Sequence, residues 1–383
     1  MRIKILSHLG KYLIVTGIIL AIIAFSNTVE KTPLLADDNT EFAKAVVTAV
    51  YGEDYIIDEE TGVGDTQNVT VLIKSGTYKG KTVEATSING YLYGAVCEAG
   101  TKVIVRVSEY KGNLSASVYN YDRESQIILL ICAFLVTMWL VGGRKGINSV
   151  IALVFTFIVV LFMYIPMMYI GVSPFLSAVI AVILITVITH ILLADLEMKS
   201  ISAMLGTICG VIVAGLIALI FGKMSHINGY NVDEIETMIY IGMNSKLDIG
   251  GMLFSGILIS SLGAVMDVAM SVSSSLNEIL INSPGLGIKE LFKSGINIGR
   301  DMIGTMSNTL ILAYVGSSIN LVMIIYAYSY QAHQVLNMYS IGIEIMSGIA
   351  GTMGIILAVP FTSFISAFLL KRKKVMTVKN YKR

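Results

Sequence analysis

Residues 251–278 read GMLFSGILISSLGAVMDVAMSVSSSLNE, an apolar stretch in which one carboxylate, Asp267, lies among Gly, Ala, Ser, Val and Met. Its length and composition predict a membrane-spanning helix. An Asp at the centre of such a helix costs about 2.5–3.5 kcal/mol on insertion scales. We therefore expect Asp267 to face a partner, water or a transport pathway, in a protein that crosses the membrane several times.

The composition of the whole chain agrees with a membrane protein. Hydrophobic residues make up 55% and charged residues 14%, whereas soluble domains carry about 25% charged residues. The net charge of +1 indicates no nucleic-acid partner. Three widely spaced cysteines and four histidines form no disulfide framework and no zinc-binding pattern. No Walker, GxSxG or kinase motif occurs, so we expect neither an enzyme nor a cofactor.

The first 26 residues form a separate segment. A basic start, with Arg2, Lys4 and Lys11, precedes an apolar run that ends at Phe25. This pattern is typical of a secretory signal peptide or of a first spanning helix. No convincing small-residue cleavage site follows, so we interpret residues 1–26 as an uncleaved anchor whose N-terminus is cytoplasmic.

Residues 27–123 differ in character, because charges are dense and apolar residues alternate in short runs separated by glycines. The clearest predicted strands are Ala45–Val50, Asn68–Ile73, Thr82–Glu84 and Lys102–Val107. Five or six short strands in this length predict a small β-barrel or sandwich of the OB type. Its role is either to contact a partner or to act as a structural spacer.

Seven further apolar spans follow in residues 124–371, before a basic tail at 372–383. They are Gln126–Gly142, Ile147–Ile170, Pro174–Ala194, Ile201–Phe221, Gly250–Ser274, Met302–Tyr326 and Ile341–Leu370. Basic residues follow every second span and lie on the same side as the basic N-terminus. The positive-inside rule then predicts eight helices in the plasma membrane, both termini cytoplasmic and residues 27–123 outside. Glycine and serine are frequent in the sixth and eighth spans, which predicts close helix packing.

Two loops carry helical patterns of their own. Apolar residues recur at helical spacing in Val232–Met243, which predicts an outer surface helix with Asn231 as its N-cap. On the inner side, Ile288–Ile298 combines apolar residues with Lys289 and Lys293. This pattern predicts a short interfacial helix that leads into the seventh span.

Asp267 is the first candidate for chemistry. If the sixth span begins near Gly250, Asp267 lies about 26 Å along it, in the inner half of the bilayer. The seventh span begins inside, near Arg300 and Asp301, so an Asp267–Arg300 contact is geometrically allowed. These residues are candidates for a proton or ion relay. The alternative is that the sixth span ends earlier and Asp267 lies among lipid headgroups.

Other polar residues inside the spans are further candidates. Thr305, Ser307 and Asn308 give the seventh span a polar face, and Asn308 should point into the bundle to find a hydrogen-bond partner. His190, near the end of the fourth span, could relay protons or simply be packed. Glu344, at the outer start of the eighth span, could line a vestibule.

The order of an anchor, a small extracytoplasmic β domain and a seven-helix block resembles the YibE/F family of bacterial membrane proteins. The residues that carry the match are LGAVMDVAMSVSSSLNEI at 262–279 and GRDMIGTMSNTLILAYVG at 299–316. The resemblance implies this architecture for the chain and brings little information on activity.

The last third of the chain is also similar to the SecD/SecF branch of the resistance-nodulation-division transporters. The positions that match its motifs are Asp267 and Glu278, Arg300 with Thr305 and Ser307, and Gly351-Thr352 with Pro360. The resemblance implies that Asp267 carries protons with Arg300 as its partner. The chain departs from that pattern, because Ser274 and Ser275 replace a basic residue and Asp301 replaces a Thr.

Two functional hypotheses follow. The first is a permease or export-related protein, proton-coupled through Asp267. The second is a scaffold or sensor that transports nothing and whose outer β domain binds a partner. In both cases we expect the lipid bilayer as surroundings, with a second copy or a sister membrane subunit as a further partner.

Overall fold

The computed structural model describes residues 2–30, 40–51, 66–88, 93–110, 112–194 and 197–381, with side chains except at 2–9, 110 and 373–381. It divides into two compact units. One unit comprises Pro33–Leu140, and the other comprises Met1–Thr32 together with Val141–Arg383.

The first unit contains a closed barrel of five strands, which confirms the predicted β-barrel. The strands are β1 (Thr40–Tyr51), β2 (Thr66–Ile73), β3 (Thr82–Ile88), β4 (Lys102–Tyr110) and β5 (Asn113–Tyr121). Their order around the barrel is β1-β2-β3-β5-β4, and β4 pairs with β1 to close it. The β3–β5 pair is parallel and the other pairs are antiparallel. This five-stranded arrangement is of the OB type.

Alternation of side chains explains the barrel. In β4, Val103, Val105 and Val107 are fully buried, while the residues between them face outward. The barrel core also holds Cys97, whose backbone is fixed by the side chain of Gln67. That amide accepts from the Cys97 N–H at 2.7 Å and donates to the Cys97 carbonyl at 3.2 Å. The core is therefore apolar with its buried polar groups paired.

Helices make up most of the remaining chain. The long ones are α1 (Arg2–Thr28), α2 (Glu124–Val159), α4 (Pro174–Leu193), α5 (Met198–Met224), α7 (Ile249–Asn282), α8 (Ile288–Ser317) and α11 (Tyr339–Tyr381). The short ones are α3 (Ile165–Tyr169), α6 (Ile235–Met243), α9 (Ile319–Ala327) and α10 (Ala332–Leu336). A π-helical turn, Val160–Tyr164, joins α2 to α3.

In the described part of the chain, six helices are long and apolar enough to cross a membrane, or seven when a bent pair counts as one span. The eight predicted spans are reached when the bent pair counts as one span and the run Glu124–Tyr169 counts as two. That run is 46 residues long, about 69 Å as a straight helix and more than twice the hydrocarbon thickness. Gly143 interrupts it with a φ of 52° and a ψ of −133°.

The predicted short interfacial helix at Ile288–Ile298 is not separate from the seventh span. No separate helix covers residues 288–298, because α8 runs without a break from Ile288 to Ser317. Its start is fixed by Glu290, whose carboxylate accepts from the Gly287 N–H at 2.7 Å. The predicted span Met302–Tyr326 falls on two helices, α8 and α9, which together are apolar enough to cross a membrane and meet at a bend of 63° around Ser318.

The predicted outer surface helix is present as α6, and it begins later than expected. Asn231 is not its N-cap. That residue belongs to a turn, Gly229–Asn231, in which its side chain accepts from the Asn228 N–H at 2.9 Å. Helix α6 buries none of its residues against the chain, as expected for a helix that lies on a surface.

Helices α5, α7 and α11 pack against one another at the centre of the second unit. Glycines make this possible. As predicted for the eighth span, a Cβ at Gly354 of α11 would lie 2.8 Å from Ala214 of α5, whereas Gly256 and Gly263 of the sixth span have no atom within 4 Å of a Cβ. A Cβ at Gly210 of α5 would lie 2.8 Å from the side chains of Val265 on α7 and Ala358 on α11. The three helices therefore touch at a point where only hydrogen fits.

Candidate functional site

The position of Asp267 along the bundle follows from the pairing of α7 with α5. The Ser273 hydroxyl donates to the carbonyl of Lys199, in the first turn of α5, at 2.7 Å. Further along, Gly210 of α5 packs on Val265 of α7. The two helices are thus antiparallel, and Asp267 lies about 9 Å from the level of Ser273, roughly a third of the way along α5. Helix α7 continues past Asp267 to Asn282.

The Asp267 side chain points away from the core of the single chain. It is exposed, as are Gly256, Ser260 and Gly263 on the same helix. Their spacing of four, three and four residues places them on one face of α7. A Cβ at Gly256 or Gly263 would meet no atom within 4 Å. We call this exposed stripe the α7 face: it is open, lined by small residues, and carries a carboxylate.

Arg300 and Asp301 are exposed on α8, and the structure does not bring them to Asp267. No ion pair or hydrogen bond joins Asp267 to either residue within the described ranges. Helix α8 runs antiparallel to α7, because the hydroxyls of Tyr314 and Ser260 lie 2.7 Å apart while Gly295 packs on Leu276. By this pairing, Arg300 lies level with the residues just before Ser273, about a turn and a half from Asp267.

The polar residues of α8 have three different surroundings. Thr305 is exposed and donates to the Met302 carbonyl of its own helix at 3.1 Å. Ser307 has a buried hydroxyl without a hydrogen-bond partner among the described residues. Asn308 is exposed, so the expectation that it faces the bundle is wrong. The reason is the helix period, since Gly295 and Gly299 form the buried face of α8 and Asn308 lies on the opposite side.

His190 on α4 is 1% exposed. Its Nδ1 lies 2.8 Å from the Thr186 carbonyl of the same helix, and its Nε2 has no partner among the described residues. The first turns of α4 and α7 lie side by side, since a Cβ added at Gly251 of α7 would lie 3.2 Å from the side chain of Pro174 of α4. His190 is the sixteenth residue after Pro174, and Asp267 is the sixteenth after Gly251. The two therefore lie at similar levels on neighbouring helices, with no hydrogen bond between them in the described structure.

Glu344 lines a cavity of about 400 Å³ between the end of α8, the start of α9 and α11. The remaining lining is mostly apolar and includes Tyr314, Ser318 and Gly348. The cavity adjoins the α7 face, because Tyr314 is also the residue that contacts Ser260.

Sequence reasoning missed a cluster of exposed aromatic residues on the barrel. The Phe42 and Tyr119 rings meet edge to face with centroids 5.1 Å apart, and Tyr93 lies 5.7 Å from Tyr119. All three side chains are exposed. The available signal was the alternation in β1 and β5, which directs Phe42 and Tyr119 outward. The two rings meet only because β4 lies between β1 and β5 in the closed barrel, which the sequence does not reveal.

Among the described residues, no three His, Cys, Asp or Glu side chains are grouped in a way that could hold a metal ion. The arrangement can instead supply a titratable carboxylate, at Asp267, on an open face of a helix. A hydroxyl at Ser260 lies on that face.

Comparison with known proteins identifies the family of the chain. A family model described as YibE/F-like protein matches residues 130–372, which is more than half of the chain. No curated protein and no solved structure showed a significant match. The matched region begins within α2 and contains Asp267, Arg300 and Asn308.

Proposed function

The chain belongs to the YibE/F-like protein family, and we propose that it is a permease or export-related protein of the plasma membrane, coupled to protons through Asp267. The observation that supports this proposal most strongly is a carboxylate about a third of the way along α5, on an open face of small residues. The similarity of the last third of the chain to the SecD/SecF branch remains a prediction that agrees with this role.

The depth of Asp267 supports the proposal. Helix α5 has 27 residues and is about 40 Å long, whereas the hydrocarbon core is about 30 Å thick. If α5 is centred on the hydrocarbon, about 5 Å of it projects at each end. Asp267, at a level about 11 Å from the start of α5, then lies inside the hydrocarbon region. A carboxylate is tolerated there only if it is neutralised, paired or hydrated.

The α7 face supplies a route to that carboxylate. Gly256 and Gly263 leave space beside the helix. The Ser260 hydroxyl lies 2.7 Å from the Tyr314 hydroxyl and keeps a lone pair that can accept a hydrogen bond from water. Asp267 would bind a proton from one side of the membrane and release it to the other. His190 is a second titratable group at a similar level. Arg300 and Asp301, nearer the predicted cytoplasmic end, are positioned to influence exchange at that end.

The proposal can be tested by proton movement into liposomes that contain the full chain. A potassium gradient with valinomycin sets the voltage, and an internal dye reports pH. We expect voltage-driven acidification above that of empty liposomes, and at least a tenfold loss in Asp267→Asn. Ser274→Ala, on the same helix, is the matched control and should conduct normally. Equal flux for the Asn variant and the unchanged protein, or none for either, contradicts proton coupling.

A second candidate function rests on the aromatic cluster of Phe42, Tyr93 and Tyr119. Aromatic side chains are enriched at protein–protein interfaces, so this cluster is suited to hold a partner of a scaffold or sensor outside the cell. A Phe42→Ser/Tyr119→Ser double variant should lose that partner in quantitative cross-linking of intact cells. Tyr51→Ser, another exposed aromatic on β1, should retain it. Retention by both variants contradicts this function.

A further inference from the structure

Helix α8 presents a second seam that the single chain leaves uncovered. The residues Asp301, Thr305, Asn308, Leu312 and Val315 are all exposed. They recur at intervals of four and three, the spacing at which one helix contacts another along its length. The buried face of the same helix, with Leu291, Gly295 and Gly299, already packs inside the unit. We define the five exposed residues as the α8 seam.

The centre of the α8 seam lies near the middle of the bundle along the helix axes, on its outer surface. Along the axis of α8, Asn308 is about half a turn from the level of Leu310. The Leu310 side chain packs on Gly351 of α11. One turn further along α11, Gly354 packs on Gly210, near the middle of α5. Asn308 thus lies at the level where the surroundings of the chain are hydrocarbon, and its amide has no hydrogen bond to any described residue. An amide facing lipid at that depth is costly.

We propose that the α8 seam is the contact between two copies of this chain, related by a two-fold axis along the membrane normal. A two-fold contact joins the same surface of both copies, so residues at equal depth meet. Asn308 is suited to such a contact, because its amide both donates and accepts and can pair with the Asn308 of the other copy. Polar residues of this kind hold membrane helices together.

Charge supports two copies over a different protein. Arg300 and Asp301 are adjacent and exposed at one end of the seam. In a two-fold pair the two Asp301 carboxylates face each other, and Arg300 of each copy flanks Asp301 of the other, so that the four charges sum to zero. Small residues permit the approach, since a Cβ at Gly304 or Gly316 would meet nothing within 4 Å. The seam is thus complementary to itself in charge, hydrogen bonding and shape.

The test is cross-linking of the full chain in its membrane, after Cys97, Cys132 and Cys209 are replaced by alanine. A single cysteine is introduced by Asn308→Cys and joined by a thiol oxidant. The matched control is Leu216→Cys, at an exposed position of α5. We expect the Asn308 site to give a product of twice the chain mass, at least tenfold above the control. A yield equal to the control, or a product only with another protein, overturns the proposal.

A second set of variants covers the case in which cysteine disturbs the contact. Asn308→Leu should raise the dissociation constant of the detergent-solubilised pair about threefold to thirtyfold. Asp301→Arg should weaken the pair by repulsion, and Arg300→Asp combined with Asp301→Arg should restore it. Failure of the charge exchange to restore pairing, with Asn308→Leu also without effect, overturns the proposal. None of these measurements depends on transport.

Discussion

The Ser273 hydroxyl on α7 donates a hydrogen bond to the Lys199 carbonyl on α5, at 2.7 Å, and this bond fixes the level of Asp267 in the bundle. Ser366 of α11 adds a bond of 3.1 Å to the same Ser273 oxygen. Both serines are fully buried. Three helices are therefore held in register at one point, two turns from the proposed site.

Replacing Ser273 by alanine should loosen that register. The change leaves the buried Ser366 hydroxyl and the Lys199 carbonyl without this partner, which costs about 1–3 kcal/mol. The measurement is the free energy of unfolding in detergent micelles. Ser274→Ala, at the neighbouring and only partly buried position, should change it by less than about 0.5 kcal/mol. Equal effects for the two serines would show that the bond does not hold the register.

Two glycines of the bundle should respond in opposite ways to alanine. In Gly210→Ala the new Cβ would meet Ala358 and Val265 at 2.8 Å and the Gly354 carbonyl at 3.0 Å, so we expect a loss of about 1–3 kcal/mol of stability. In Gly263→Ala the Cβ meets nothing within 4 Å, and the higher helix propensity of alanine should leave stability unchanged or raise it by up to about 1 kcal/mol. Thermal unfolding of both variants, compared with the unchanged protein, gives the sign directly.

Gly143 should tolerate substitution less well than its neighbour Gly142. Its φ of 52° lies in a region that favours glycine, so Gly143→Ala should cost about 1–2 kcal/mol. No close contact restricts either position, since a Cβ would meet nothing within 4 Å at both. A Gly142→Ala variant of normal stability and a Gly143→Ala variant of lower stability, measured by unfolding in micelles, are the expected pair. If both behave alike, the backbone at Gly143 does not require glycine.

The thiol of Cys97 should be protected in the folded barrel. Burial raises the pKa of this thiol, and a hydrogen bond that involves Ser87 offsets part of the effect. The folded state therefore binds the proton more tightly than the unfolded state, so this contribution to stability is present at neutral pH. It is lost as the pH rises above the ordinary thiol value of about 8.5. In a chain whose other cysteines are replaced, alkylation should be slow until denaturant is added. Rapid alkylation of the native chain would contradict this burial.

Much of the architecture could be predicted from sequence, because membrane spans and small barrels follow from local patterns. Length and hydropathy located the helices, and alternation located β1 to β4. The bend at Ser318 and the continuity of α8 were not predicted. Both depend on backbone bonds and caps, such as that of Glu290, which hydropathy does not report.

The candidate site could be predicted only residue by residue. The cost of a charge in hydrocarbon singled out Asp267 without any structure. Which face of a helix is covered depends on its neighbours, however, and the outward position of Asn308 could not be derived from its own helix. The aromatic cluster was missed for a similar reason, since Phe42 and Tyr119 lie on strands far apart in sequence.

The most direct test is whether position 267, inside the hydrocarbon region, can be reached from the aqueous phase. In a chain without native cysteines, Asp267→Cys is treated with a membrane-impermeant methanethiosulfonate reagent, beside Leu216→Cys on the exposed side of α5. An aqueous route along the α7 face predicts modification at position 267 at least tenfold faster than at position 216. Equal, slow modification at both positions would place Asp267 against lipid and contradict the permease.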